Sequence, residues 1–413
     1  MKNLIKRILV HSLRHQKNGI STKITMLIFG AIILTLSSCT SKKSIETEKI
    51  DSVIRLAADQ YKYMAEQLPE DRFPKTYYPK EDKFETCDSG WWVSGFYPGT
   101  LLYLYEDLHD IALKNEAERI MDVLEKEQYN TTTHDLGFMM YCSFGNALRL
   151  NKKDEAYEEI LMNSAASLAS RFNEKVGAIR SWDSNDGTYL VIIDNMMNLE
   201  LLFWAWKHSG DEKFRDIAIT HANTTLKNHF RKDHSSYHVL EYSESDGQAV
   251  KKRTAQGAAD DSAWARGQAW GLYGYTTMFR ETKEEIYLEQ AKRIADFILD
   301  HPNLPADKIP YWDFNAPNIP DALRDSSAGA IMASALLELS QYVDSESSTR
   351  YFKNAETMLQ TLMDDTYLAR AGTNGGFILK HGVGHIPENS EVDVPLTYGD
   401  YYFIEALKRY KKL

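Results

Sequence analysis

The chain has 413 residues, with 48 Lys and Arg against 59 Asp and Glu, a formal charge of −11. Residues 1–38 carry six of the basic residues and no acidic one, so residues 39–413 hold 42 basic against 59 acidic residues, a formal −17. A field of that sign repels polyanions; it excludes nucleic acid and the gripping of a long acidic polymer, but leaves room for a small anion held by a few local cations.

The N-terminus reads as an export signal. Basic, acid-free residues from Lys2 to Lys23 are followed by the apolar run "ITMLIFGAIILTL" and then "SSC". That run has the length of a signal-peptide core and is too short to span a bilayer. "LSSC" resembles the bacterial lipoprotein box. The resemblance implies a lipid on Cys39, a place in the bacterial cell envelope on the periplasmic side, and membrane contact through that lipid alone. An ordinary cleaved signal or an uncleaved anchor is the alternative. Residues 39–48 then read as a linker and 49–413 as the folded domain.

From Ser44 onward the pattern is helical. In the stretches 112–128, 155–172, 212–229 and 284–300 apolar residues recur every three or four positions, with charges opposite, which predicts helices with one wet face. Between them, 136–150, 196–206, 263–279 and 327–339 are apolar or small nearly all round, which predicts buried helices. Adding 50–68, 97–105, 349–362 and 398–410 gives about twelve helices. The turns from buried to wet helices resemble one another: "NKKDEAY", "SGDEKF", "ETKEEIY", "SESSTRY". Their helix-start residues Asp154, Asp211, Glu284 and Ser348 lie 57, 73 and 64 residues apart, a long internal period. An all-α toroid of six helical hairpins, inner ring buried and outer ring solvated, fits this pattern. Sheet is minor, and 237–253 reads as a hairpin.

The long connections back to each inner helix hold the unusual residues: "GWWVSGFYPG", "HDLGF", "IDNMMN", "DDSAWARGQAWG", "YWDF", "RDSSAG" and "TYGDYYF". In a toroid all of them fall at one end. Asp135 and Asp194 each precede an apolar run, and burying an unpaired carboxylate costs several kcal/mol. A single such Asp reads as an N-cap; two of them beside clustered tryptophans point to a shared pocket. Trp91, Trp92, Trp182, Trp264, Trp270 and Trp312 lie near these connections, whereas Trp204 and Trp206 sit mid-helix. Aromatic faces in a polar cleft suit sugar rings. His134 and His238, taken alone, read equally well as structural histidines. Arg266 on an apolar helix needs an anionic partner, which a ligand carboxylate would provide. Cys87 and Cys142 could pair in an exported protein, but Cys142 lies in an apolar helix and reads as a buried thiol. No metal-ligand spacing or phosphate-binding loop occurs, so no cofactor is expected.

These segments resemble glycoside hydrolase family 88, the unsaturated glucuronyl hydrolases. The resemblance spans residues 50–407 and rests on "WVSGFYPG", "HDLGF", "IDNMMNLELLFWA", "SSYH", "TAQG", "WARGQAWGLYG", "YWDF", "RDSSA" and "GDYYFIEAL", in order. It implies an (α/α)6 barrel. The implied substrates are unsaturated glycosaminoglycan di- or oligosaccharides made by lyases, and the implied reaction hydrates the vinyl ether of a 4,5-unsaturated uronic acid at their non-reducing end. By position, Asp194 matches the general acid/base and Asp135 the second essential aspartate. His134, Trp92, Trp182, His238, Gln256, Trp264, Arg266 and Trp270 match substrate-contacting positions, with Arg266 expected to help hold the uronate carboxylate. Other members often have Asp in the segment that reads "WVSGF" here, so sugar contacts near Val93 and Ser94 are expected to differ. The alternatives are a related unsaturated rhamnogalacturonyl hydrolase acting on pectin fragments, and a lipoprotein that binds glycans without cleaving them.

Overall fold

A computed structural model describes residues 43–413, apart from 152–153 and 185–187. The export signal and Cys39 lie outside the described residues. Six inner helices carry the buried pattern: α2 (Phe96–Leu108), α4 (Gly137–Gly145 continuing into Asn146–Asn151), α6 (Leu199–Ser209), α8 (Ala265–Thr282), α10 (Ser326–Leu339) and α12 (Thr397–Lys412). Each packs on the next and α12 packs back on α2, which closes the ring. The six helices with one wet face lie outside: α1 (Thr47–Ala65), α3 (Ile111–Leu124), α5 (Glu155–Ala169), α7 (Glu212–Asn228), α9 (Glu285–Asp300) and α11 (Ser345–Leu362). The structure is therefore the expected (α/α)6 barrel. One continuous apolar cluster fills it; in α10, for instance, every residue except Glu338 is buried.

An aspartate cap sets five of the twelve helix starts among the described residues: Asp110, Asp154, Asp211, Asp325 and Asp344. Asp154 accepts a hydrogen bond from the Tyr157 N–H, and Asp211 accepts one from Lys213, as N-caps do. Ser348 is not a cap. Its helix begins earlier, because Asp344 accepts from the N–H groups of Glu346 and Ser347. Glu284 occupies the N-cap position without a side-chain bond.

Asp135 and Asp194 are not caps either. Residues 137–145 wind as a π-helix whose N-cap is Leu136, and Asp194 stands inside a 3-10 turn, Ile193–Asn198, ahead of α6. Periodicity alone reads both stretches as α-helix. Each departs because its first turn is fixed from outside: the Phe138 N–H donates to Asn198 Oδ1 at 3.0 Å, tying the two segments together. π-turns inside helices gather at functional sites.

The predicted hairpin is present as β6 (Val239–Tyr242) and β7 (Ala249–Arg253); a third antiparallel strand, β5 (Tyr189–Ile192), pairs with β6, and a short pair, β3 (Phe172–Asn173) and β4 (Ala178–Ile179), precedes it. Two further hairpins flank the same end of the barrel. In the first, β1 (Phe73–Tyr78) pairs with β2 (Lys83–Cys87); in the second, β8 (Gly382–His385) pairs with β9 (Ser390–Val394). The Thr76 hydroxyl donates to the Pro395 carbonyl and joins them. Cys87 and Cys142 are both free thiols.

Candidate active site

The N-terminal ends of the inner helices surround a cavity of about 360 Å³. Strand β5 delivers Asp194 into it, and the neighbouring strand holds His238 alongside, the Ile193 N–H donating to the His238 carbonyl at 3.1 Å. His134 and Asp135 arrive on the connection into α4, where Thr133 bridges to Trp182 and the His134 N–H donates to the Ser181 carbonyl. Trp92 forms part of the floor. Its ring lies 4.8 Å from Tyr398 and 5.6 Å from Phe138, which packs in turn on Trp270 at 5.1 Å.

The two carboxylates have unlike surroundings. Asp135 accepts from the Thr133 hydroxyl at 2.6 Å and faces His134 Nε2 at 3.2 Å. Asp194 is 8% exposed, and its Oδ2 has no hydrogen-bond partner. Four aspartates are buried among the described residues. The other three are supplied with donors: Asp313 by Ala258, Ser262 and Asn315, Asp325 by Ser327, Val383 and Arg266, and Asp400 by Ile378, Leu379 and Tyr61. Burial raises the Asp194 acid to about 7 against the pull of Arg266, with the charge of Asp135 adding to the rise. Asp194 can hold a proton near neutrality with its oxygen uncommitted, which is what a general acid requires.

The histidines are neutral. Burial lowers both, His238 well below the ordinary range. His238 Nδ1 accepts from the N–H groups of Ala255 and Gln256, each at 3.1 Å, so its own proton sits on Nε2. That Nε2 lies 3.8 Å from Asp194 Oδ2. It is a donor beside the acid, not the cation of an ion pair.

Arg266 already has its anion. Nη1 reaches Asp325 at 3.4 Å and the Val383 carbonyl, while Nη2 donates to the Gly384 carbonyl and to Gln256 Oε1. Trp264 and Tyr398 stack on it at 4.4 and 5.2 Å. The expectation that its counter-charge comes from a ligand therefore needs correction, since Asp325 supplies it. Because Gln256 Oε1 is engaged, the Gln256 amide presents its N–H hydrogens to the cavity.

Of the expected residues, Trp92, His134, Asp135, Trp182, Asp194, Gln256 and Arg266 line one cavity. His238, Trp264 and Trp270 are buried behind that wall, where they brace Asp194 and Arg266. The cavity also takes in Lys75, Trp91, His385, Glu388, Glu391 and Tyr398. Tyr398 is the second residue of the quoted "TYGDYYF", and its buried hydroxyl has no partner. The two hairpins that bring Lys75, His385, Glu388 and Glu391 leave no helical signal. A second cavity of about 400 Å³ lies at the other ends of the inner helices, lined by Tyr103, Arg149, Trp204 and Glu405 among others. Its charges are matched from within: Glu405 accepts from Tyr103, Tyr273 and Ser334 and meets Arg409 at 3.5 Å.

No family model matches the chain. It is 47% identical over 324 residues to an unsaturated glucuronyl hydrolase of Formosa agariphila, covering 78% of this chain and 80% of that protein. It is 34% identical to an unsaturated chondroitin disaccharide hydrolase of Streptococcus pneumoniae, covering 88% and 91%. Among solved structures, an unsaturated glucuronyl hydrolase specific for heparin superposes with a TM-score of 0.86 at 49% identity, covering 89% of this chain and 99% of that one.

Proposed function

The chain belongs to the unsaturated glucuronyl hydrolases of glycoside hydrolase family 88, and on that premise we propose that Asp194 is the acid that begins its reaction. The enzyme releases a 4,5-unsaturated uronic acid from the non-reducing end of lyase-generated glycosaminoglycan oligosaccharides. Asp194 gives its proton to C4 of the vinyl ether, leaving the positive charge shared by C5 and the ring oxygen. Water adds at C5 and loses a proton to the Asp194 carboxylate, giving a hemiketal. The C5–O5 bond then breaks to a ketone, O5 becomes a hydroxyl of the hemiacetal at C1, and that hemiacetal expels the aglycone sugar. One water is consumed and the acid is regenerated.

A single observation carries this reading: Asp194 is buried with Oδ2 unpartnered and its acid raised to about 7, in an aromatic-floored cavity shared with Asp135. The charge that develops at C5 and O5 is positive, and Asp135, supplied with donors by Thr133 and His134, is the anion that faces it. The Gln256 amide, oriented by Arg266, is the donor set to meet the uronate carboxylate, while the buried His238 stays beside Asp194. The test is loss of the ultraviolet absorbance of an unsaturated glycosaminoglycan disaccharide, compared between the parent and Asp194→Asn. We further propose that Cys39 carries a lipid that anchors the enzyme in the cell envelope, on the strength of the "LSSC" sequence.

A further inference from the structure

Trp91 is the one tryptophan left exposed among the described residues, at 45%. Its neighbour Trp92 turns inward to the floor, while Trp91 stays at the mouth of the same cavity and stacks on no other ring. An exposed indole leaves apolar surface in water that a stacked ligand would cover. This indole is also held in position. Lys75 Nζ lies 5.6 Å from its ring centroid, and Glu85 fixes that ammonium at 2.6 Å. β1 carries Lys75, and Thr76 ties that strand to the end of β9, so the two hairpins form one wall.

That wall is acidic. Lys75 is paired with Glu85, whose other oxygen meets Lys83 at 3.8 Å outside the cavity lining, burial lowers the His385 acid, and Glu388 stands exposed on the same wall with the half-buried Glu391. The cations further in are spoken for, Arg266 by Asp325. A sulfate ester at the mouth would meet carboxylates, and the two cations among the described residues that line the cavity, Lys75 and Arg266, are already paired.

We propose that Trp91 is the stacking platform for the second sugar of the substrate, and that the carboxylates around it restrict that sugar to one without a sulfate ester. This rests on the hydrolase reading above. The unsaturated sugar occupies the depth beside Asp194, and the aglycone leaves the cavity across the indole face, which is flat, apolar and wide enough for a pyranose ring.

The experiment compares two substrates on the parent, Trp91→Ala and Trp91→Phe. One is an unsulfated unsaturated disaccharide, the other the methyl glycoside of the same unsaturated uronic acid. Trp91→Ala should lower kcat/KM on the disaccharide about tenfold, mainly through KM, and much less on the methyl glycoside, with Trp91→Phe recovering most of the loss. Equal losses on both substrates, or none on the disaccharide, would overturn the platform. The parent should also prefer the unsulfated disaccharide to one sulfated on the second sugar, and Glu388→Gln should narrow that gap; indifference of the parent to sulfate would overturn the restriction. Failure here leaves the hydrolase reading standing, whereas turnover by Asp194→Asn would remove that reading first.

Discussion

A Cβ on Gly137 would lie 2.5 Å from the Cα of Asn198. Gly137 follows Asp135 by two residues and Asn198 follows Asp194 by four, so the backbones bearing the two site carboxylates meet at this point. The Phe138 N–H to Asn198 Oδ1 bond seals the contact. Gly137→Ala must push backbone away from backbone. Its expected effect is a fall in kcat of about a hundredfold at nearly unchanged KM, the cost of a displacement near 1 Å at reacting groups. Steady-state kinetics decide it: a fully active variant would mean that the carboxylate spacing is not set here.

Asp194→Asn should reduce kcat by about three orders of magnitude, the usual worth of a positioned general acid, while substrate still binds. Single-turnover measurements separate the two, and substantial residual turnover would reassign the proton donor.

The same substitution should stabilise the fold. An unfolded chain gives up the Asp194 proton near pH 4, but the folded chain keeps it to about 7, so ionisation opposes folding as pH rises between those values. The cost is complete above that window and amounts to roughly 4 kcal/mol. Asp194→Asn is expected to raise Tm in mildly alkaline buffer and to lose that advantage below about pH 4. A Tm difference that is the same at all pH values would contradict the raised acid.

Activity should follow the same proton. The alkaline limb of kcat/KM is expected near 7 for the parent. In Asp135→Asn the residual activity should decline at lower pH, because one of the influences raising Asp194 is gone. An unmoved limb would mean that the two carboxylates do not communicate.

Gln256 and Arg266 should separate in their phenotypes. Gln256→Ala removes a cavity donor and should raise KM with little change in Tm. Arg266→Ala strands buried Asp325 without its cation, and should cost about 3–5 kcal/mol of stability. Thermal denaturation beside kinetics tells them apart; equal stability of the two variants would refute the positioning role given to Arg266.

Cys39→Ala should abolish incorporation of labelled palmitate and move the enzyme from the membrane fraction to the soluble one. Unchanged membrane association would rule out the lipid as the anchor.

Helix count, ring closure and the pairing of Asp135 with Asp194 were legible because inner and outer helices differ in how far round the apolar face extends, a property each segment carries by itself. The π-winding of residues 137–145 was not, since it depends on Asn198, sixty residues beyond Phe138. Nor was the saturation of Arg266, whose partners Asp325, Val383 and Gly384 come from distant segments. Lys75 and Glu391 escaped for a related reason: short hairpins at the barrel mouth have little amphipathic pattern, and only the packing of β1 against the end of β9 brings them to the cavity.

The start of the described chain is stitched to its finish. Lys43 Nζ donates to the Lys411 carbonyl and the Ile45 N–H to the Tyr410 hydroxyl, at the C-terminal end of α12, whereas Tyr398 at its beginning lines the sugar cavity. Sixteen helical residues, about 24 Å of rise, separate those two ends. A surface tether joined at the C-terminal end of α12 would therefore hold the folded domain by its base and leave the bowl unobstructed.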